Sequence, residues 1–278
     1  MKAGARPPSS APTVGEPLRA AGNGALELSR VVRVLSSLPE LELRVRWLED
    51  DVSRRSDASA AALFDALCEE AGRGDPGASA ALLPVALYFA SRGDDPRRAE
   101  LRAIAEQQRL LGLERLLRTG PDLPEPIGAG REPAVPDYGA GRELTVGERR
   151  SLARRPTRAE LEKLLGDPHP LVLSQIFLCP KLTEADVVRV ATRRPLRAET
   201  ISVLTKSTRW MNRRRVRLSL LLNPGCPHHV SVPLVHTCLR DELSLVVEST
   251  PLPGTLRTVA HELLTKRPPW GEPYSTLQ

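Results

Sequence analysis

The chain has 278 residues, 41% of them hydrophobic, enough to bury one or two cores; aromatics at 3% leave those cores to Leu, Val, Ile and Ala. Its 26 prolines, nearly twice the usual ~5%, exclude long uninterrupted coiled coils, and the lack of a Gly-X-Y period excludes collagen. The net charge of +6 is uneven: residues 1–118 balance, 119–150 carry −2, and 151–278 hold 19 basic against 11 acidic side chains.

A basic half is the charge pattern of phosphate binding. Only five of the 40 basic residues are Lys, however, and Arg-rich codon usage produces the same excess. The cysteines Cys68, Cys179, Cys226 and Cys238 are scattered with no C-x-x-C pair, the usage of a reducing compartment. Pro7, Pro8, Pro12 and Pro17 stand where a signal peptide needs an apolar run. The charge-free stretch Pro76–Ser91 is shorter than the ~20 residues of a membrane span. A cytoplasmic protein without a membrane segment is expected.

Residues 1–24, rich in Pro, Gly, Ser and Ala, read as a disordered arm. Residues 25–118 read as a helical domain. Two helices near 25–37 and 40–54 precede one capped by Asp57-Ala58-Ser59 and running to about Glu70, with Ala61, Leu63, Phe64, Leu67 and Cys68 on one side. An apolar helix over 77–92 follows, which Pro84 is expected to kink or divide. Asp94-Asp95-Pro96 then supplies a cap and N1 proline for a helix over 96–110, and Leu113, Leu116 and Leu117 continue its stripe.

Residues 119–145 form a Pro/Gly-rich linker, with five prolines and five glycines between 120 and 145. Its end, Val135-Pro136-Asp137-Tyr138-Gly139, is suited to docking on a neighbour through Tyr138. Residues 268–278 are a tail.

Residues 146–267 are repetitive. Aligned on Pro156, Pro180, Pro195, Pro224 and Pro251, an aliphatic residue stands eight positions later each time: Leu164, Val188, Val203, Val232 and Val259. Before the last four prolines, Ile176, Ala191, Leu220 and Val247 stand at four residues, and Val172, Val187, Val216 and Leu243 at eight. Spacings of three and four put these columns on helix faces. Helices this short are unstable alone and cover their apolar faces by stacking on neighbours, while proline ends one and restarts the next. The fold class expected is all-α: a helical N-terminal domain followed by an α-solenoid of short, Pro-punctuated helices.

The stretch from about 135 to 264, a little under half the chain, resembles a family of bacterial helical-repeat proteins similar to HEAT-like and leucine-rich-repeat-variant α-solenoids. Val135–Gly139, Leu144–Pro156, Lys181–Val188 and Leu221-Leu222-Asn223-Pro224 carry the resemblance. It implies an α-solenoid fold and brings no assigned activity. Some leucine-rich-variant proteins hold an iron–sulfur cluster in a Cys-rich N-terminal module; this chain has one Cys before residue 179, so that feature is not carried over.

The candidate binding patch is Arg209, Trp210, Arg213, Arg214 and Arg217, with Arg193, Arg194 and Arg197 at a repeat junction. An arginine row beside an indole is the chemistry of a phosphate-and-base platform. The competing reading makes these solvated junction residues paired with Glu160, Glu162, Glu184, Asp186 and Glu199. His229 and His236 are two turns apart near Cys226 and Cys238, but no zinc spacing is present and Pro233 intervenes, so a repeat-core histidine is expected and no metal. No phosphate loop, dinucleotide fingerprint or nucleophile elbow occurs. The expectation is a scaffold or adaptor without catalytic residues or cofactor, binding a protein partner, including an acidic one. The alternative is a nucleic-acid-binding HEAT-like repeat using the basic C-terminal face.

Overall fold

A computed structural model describes residues 16–121 and 134–266, with side chains from residue 24 onward. Among these residues every regular element is a helix, with no strand. The first half comprises α1 (Glu16–Ser37), α2 (Leu41–Ser53), α3 (Asp57–Gly72), α4 (Pro76–Ala90), α5 (Pro96–Gln108) and the short α6 (Leu111–Leu116). Ser56, Asp75 and Asp95 cap α3, α4 and α5 by accepting from the backbone N–H groups of Ser59, Ala78 and Arg97. The cap of α3 is therefore one residue earlier than its sequence suggests. Arg109, in the left-handed region at φ 55°, ends α5 and turns the chain into α6.

Two expectations need correction. The arm is shorter than expected, since residues 16–24 belong to α1; residues 1–15 lie outside the described residues. Gly22 and Gly24 each cost a helix about 1 kcal/mol against Ala, but Ala20-Ala21 and Ala25-Leu26-Glu27 flank them with strong helix formers. Of the two outcomes expected at Pro84, division does not occur: α4 runs from Pro76 to Ala90 with that proline buried inside it.

The reason lies in where α4 sits. It is apolar all round, the mark of a helix covered on every side. Ala78, Ala81, Leu82, Val85, Tyr88 and Phe89 join a core built from α1 to α6, in which Phe64 meets Phe89 edge-on at 4.9 Å. Ala86, Leu87 and Ala90 join the core of the second half, together with Leu41 of α2.

That second half begins with a strap, residues 134–145, whose Tyr138 packs on the core and donates its hydroxyl to buried Asp167 at 2.8 Å. Residues 122–133 of the expected linker lie outside the described residues. Ten helices follow: α7 (Val146–Leu152), α8 (Arg158–Leu164), α9 (Pro170–Phe177), α10 (Glu184–Ala191), α11 (Ala198–Lys206), α12 (Thr208–Met211), α13 (Arg214–Leu221), α14 (His228–Val235), α15 (Arg240–Glu248) and α16 (Gly254–Lys266).

The five aligned prolines each fall three or four residues after one of these helices and two to four before the next, as the repeat predicts. Helix α9 packs on α11, α10 on α13, and α15 on α16, an arrangement compatible with a helical repeat. Leu164, Val232 and Val259 are buried, as are Val172, Ile176, Val187, Ala191, Val216, Leu220 and Leu243. Val188 and Val203 were expected in the core but are only half-buried, packed against its edge. The adjoining residues Val187, Val190 and Leu204 take the inward positions of those two helices instead.

Three starts in this half share a device: Thr145 with Glu148, Thr157 with Glu160 and Thr183 with Asp186 form capping boxes. The two halves meet where α14 packs on α4. They are also tied by charge. Arg115 and Arg118 of the first half reach Glu262 of α16 at 2.9 and 2.6 Å, and Lys266 reaches Glu69 at 3.1 Å.

Candidate binding groove

The basic cluster does not fold as an arginine row beside an open indole. Trp210 is 3% exposed, and its Nε1–H donates to the Phe177 carbonyl at 2.8 Å. It is a core anchor rather than a stacking surface. Arg217 is 8% exposed and donates to the Met211 carbonyl at 2.6 Å; it faces inward because Val216 and Leu220 draw that side of α13 into the core. Burial lowers the pKa of the Arg217 guanidinium. Neither side chain is placed to meet a phosphate or a base.

The remaining patch residues have separate positions. Arg214 pairs with Glu242 of α15 at 3.0 Å. Arg213, exposed, occupies the position before α13, and Arg197 the position before α11. Arg193 donates to the Leu165 carbonyl, which ties the end of α10 to the end of α8; Arg194 is exposed beside it. Arg209 is exposed, its guanidinium 4.6 Å above the Trp210 ring.

The junction arginines find carboxylates in part as the competing reading expects. Buried Asp186 accepts from Arg158 at 2.8 and 2.7 Å, from Arg189 at 2.7 Å and from the Thr183 hydroxyl at 2.7 Å. The Arg158 bonds foremost, with those from Thr183 and Arg189, hold this carboxyl well below the usual range despite its burial. Glu162 completes the cluster by accepting from Arg158 at 2.5 Å and Arg189 at 2.9 Å. A second buried pair, Arg149 with Asp167 at 3.1 Å, anchors the strap at Tyr138.

His229 is half-buried, and its ring lies so close to Gly93 that a Cβ there would stand 2.7 Å from it. Burial, and then Arg98, lower its pKa, which keeps it neutral at physiological pH. His236 is buried at the end of α14. All four cysteines are buried and free, with burial pushing Cys68 up to about 12. Among the described residues no group of three His, Cys, Asp or Glu is placed to hold a metal ion, and no helix is long and apolar enough to cross a membrane.

A concavity lies elsewhere, where the first half meets the second. A groove of about 550 Å³ opens between α2, the end of α4, the end of α9 and the α11–α12 corner. The α2 wall presents Glu42, Val45, Arg46 and Glu49 on one helical face. Its charges are internally matched: Arg46 pairs with Glu42 at 2.6 Å, and Arg92 with Glu49 at 3.0 Å. Arg92 also lies 4.4 Å over the Tyr88 ring. The facing wall runs through Thr205, Lys206, Ser207, Thr208 and Arg209. Lys206 and Arg209 have no carboxylate partner among the described residues. Leu87 lines the groove from the core, and Leu178 projects there 68% exposed.

Of the eight patch residues, the groove takes in Arg209 alone. Sequence reasoning missed the α2 wall, because nothing local ties residues 42–49 to residues 205–209. The C-terminal part of α4, apolar on both faces, was the signal that the two halves would meet. No protein-family model, curated protein or solved structure matches the chain.

Proposed function

We propose that the protein is a non-catalytic α-solenoid scaffold or adaptor of the cytoplasm that binds a protein partner at this groove. The observation that carries the reading is the contrast between two basic surfaces. The arginine patch is taken up by the fold in part, with Trp210 and Arg217 buried and Arg214 paired. The groove instead offers two uncompensated cations beside an exposed leucine, the mixture of charged and apolar groups that protein interfaces use. The resemblance of residues 135–264 to HEAT-like and leucine-rich-repeat-variant solenoids supports the reading, since such folds work by surface recognition. The nucleic-acid alternative keeps the exposed residues Arg194, Arg209, Arg213 and Arg215, with Arg154 and Arg155 near the repeat start.

Affinity capture with and without nuclease treatment tests the proposal. The expected result is a defined protein partner retained after nuclease and lost on Arg209→Glu. Material that disappears with nuclease would favour the alternative.

A further inference from the structure

We infer that the groove takes a short acidic peptide segment, with carboxylates set on Lys206 and Arg209 and an apolar side chain against Leu178 and Val45. The inference rests on the protein-binding reading above and gives the partner its chemistry.

The argument starts from charge. On the α2 wall, Arg46 is answered by Glu42 and Arg92 by Glu49, so that wall is close to neutral. On the facing wall Lys206 and Arg209, three residues apart at the α11–α12 corner, keep their charge for a ligand. Arg209 is held in position by its stack on the Trp210 ring, which limits the side-chain entropy lost when it engages a carboxylate. The Ser207 and Thr208 side chains between the two cations add hydroxyl groups to the same wall.

The apolar part of the groove excludes other anions. Leu178 is among the most exposed large apolar residues of the described chain, and with Val45 and Leu87 it lines a concavity rather than a convex surface. A polyphosphate chain would run past Glu42 and Glu49 and leave the leucine unused, and the Trp210 ring, already covered, has no face left for a base. A polypeptide brings its carboxylates singly and alternates them with apolar side chains. A groove of about 550 Å³ suits a few such residues.

The test uses the full-length protein and a phage-displayed library of random dodecapeptides as the probe. Selected peptides are then synthesised and titrated by fluorescence anisotropy against the parent protein and three variants. These are Lys206→Glu with Arg209→Glu, Leu178→Asp, and Arg154→Glu with Arg155→Glu as a control on an exposed junction. The expected result is enrichment of Asp or Glu beside Leu, Ile, Val or Phe. Affinity should fall at least tenfold in the first two variants and less than twofold in the control, with circular dichroism unchanged in all. Failure to select any peptide, or selection without acidic bias, overturns the inference. Peptides whose affinity ignores both groove variants also overturn it, while leaving protein binding itself standing. A single-stranded oligonucleotide that binds the parent and is lost in Lys206→Glu with Arg209→Glu overturns both readings.

Discussion

The indole Nε1–H of Trp210 donates to the carbonyl oxygen of Phe177 at 2.8 Å, joining α12 to the last turn of α9. The bond fixes the α11–α12 corner against the core and so places Lys206 and Arg209 along one wall of the groove. Trp210→Phe keeps most of the ring volume but leaves the Phe177 carbonyl without its donor. Urea denaturation should show a loss of about 1 kcal/mol, and peptide binding at the groove should weaken with it.

Arg213 and Arg217 stand four residues apart in sequence and have opposite fates. Replacing exposed Arg213 by Gln should change stability by less than about 0.5 kcal/mol. Replacing Arg217 removes a charged donor from the Met211 carbonyl and should cost about 1.5–3 kcal/mol in the same assay. Equal effects of the two substitutions would mean that Arg217 is not buried as described.

Much of the second half is legible in the sequence because its punctuation is local. Proline removes a donor and sets φ, so Pro156, Pro180, Pro195, Pro224 and Pro251 mark helix boundaries whatever lies around them. Tyr138, alone with prolines and glycines in an apolar-poor segment, likewise reads as an anchor, and it docks on Asp167. The burial of Trp210 and Arg217 is not local. An Arg-rich run looks solvated until Met211, Val216 and Leu220 are known to face the core. The groove was not legible for the same reason, since its walls are more than 150 residues apart in sequence. The capping boxes were readable as Thr-x-x-acid, at Thr145, Thr157 and Thr183, and would have set three helix starts directly.

The aligned valines give a graded test of the repeat core. Val232→Ala, fully buried on α14, should cost about 2–3 kcal/mol through lost transfer energy and the cavity left behind. Val188→Ala and Val203→Ala, half-buried at the core edge, should cost about 1 kcal/mol or less because solvent and neighbours fill the space. Denaturant midpoints of the three variants, compared at unchanged slope, decide the order.

Acid should loosen the second half. Arg158 above all lowers Asp186, Arg142 above all lowers Glu148 to about 2, and the backbone N–H of Thr157 above all lowers Glu160. Glu262 is lowered as well, since Arg118 and Arg115 outweigh its burial. A carboxyl depressed in the folded state adds stability above its unfolded pKa, and that stability is lost as pH falls through the folded value. With ordinary values of 4.5 for Glu and 3.8 for Asp, the urea midpoint should hold above pH 5 and fall steadily from about pH 4.5 toward 2. Asp186→Asn, which cannot carry the charge, should lower the midpoint at pH 7 and make the acid limb shallower.

Site-specific photo-crosslinking in the cells that make the protein tests protein binding at the groove most directly. A photoreactive residue is placed at Leu178 in the groove, and in separate variants at Leu26 and Leu245, which are exposed elsewhere. The account predicts a discrete protein adduct from position 178 that is lost on Arg209→Glu, with none of the same mass from positions 26 or 245. A nuclease-sensitive adduct, or a protein adduct from position 178 indifferent to Arg209→Glu, would contradict it.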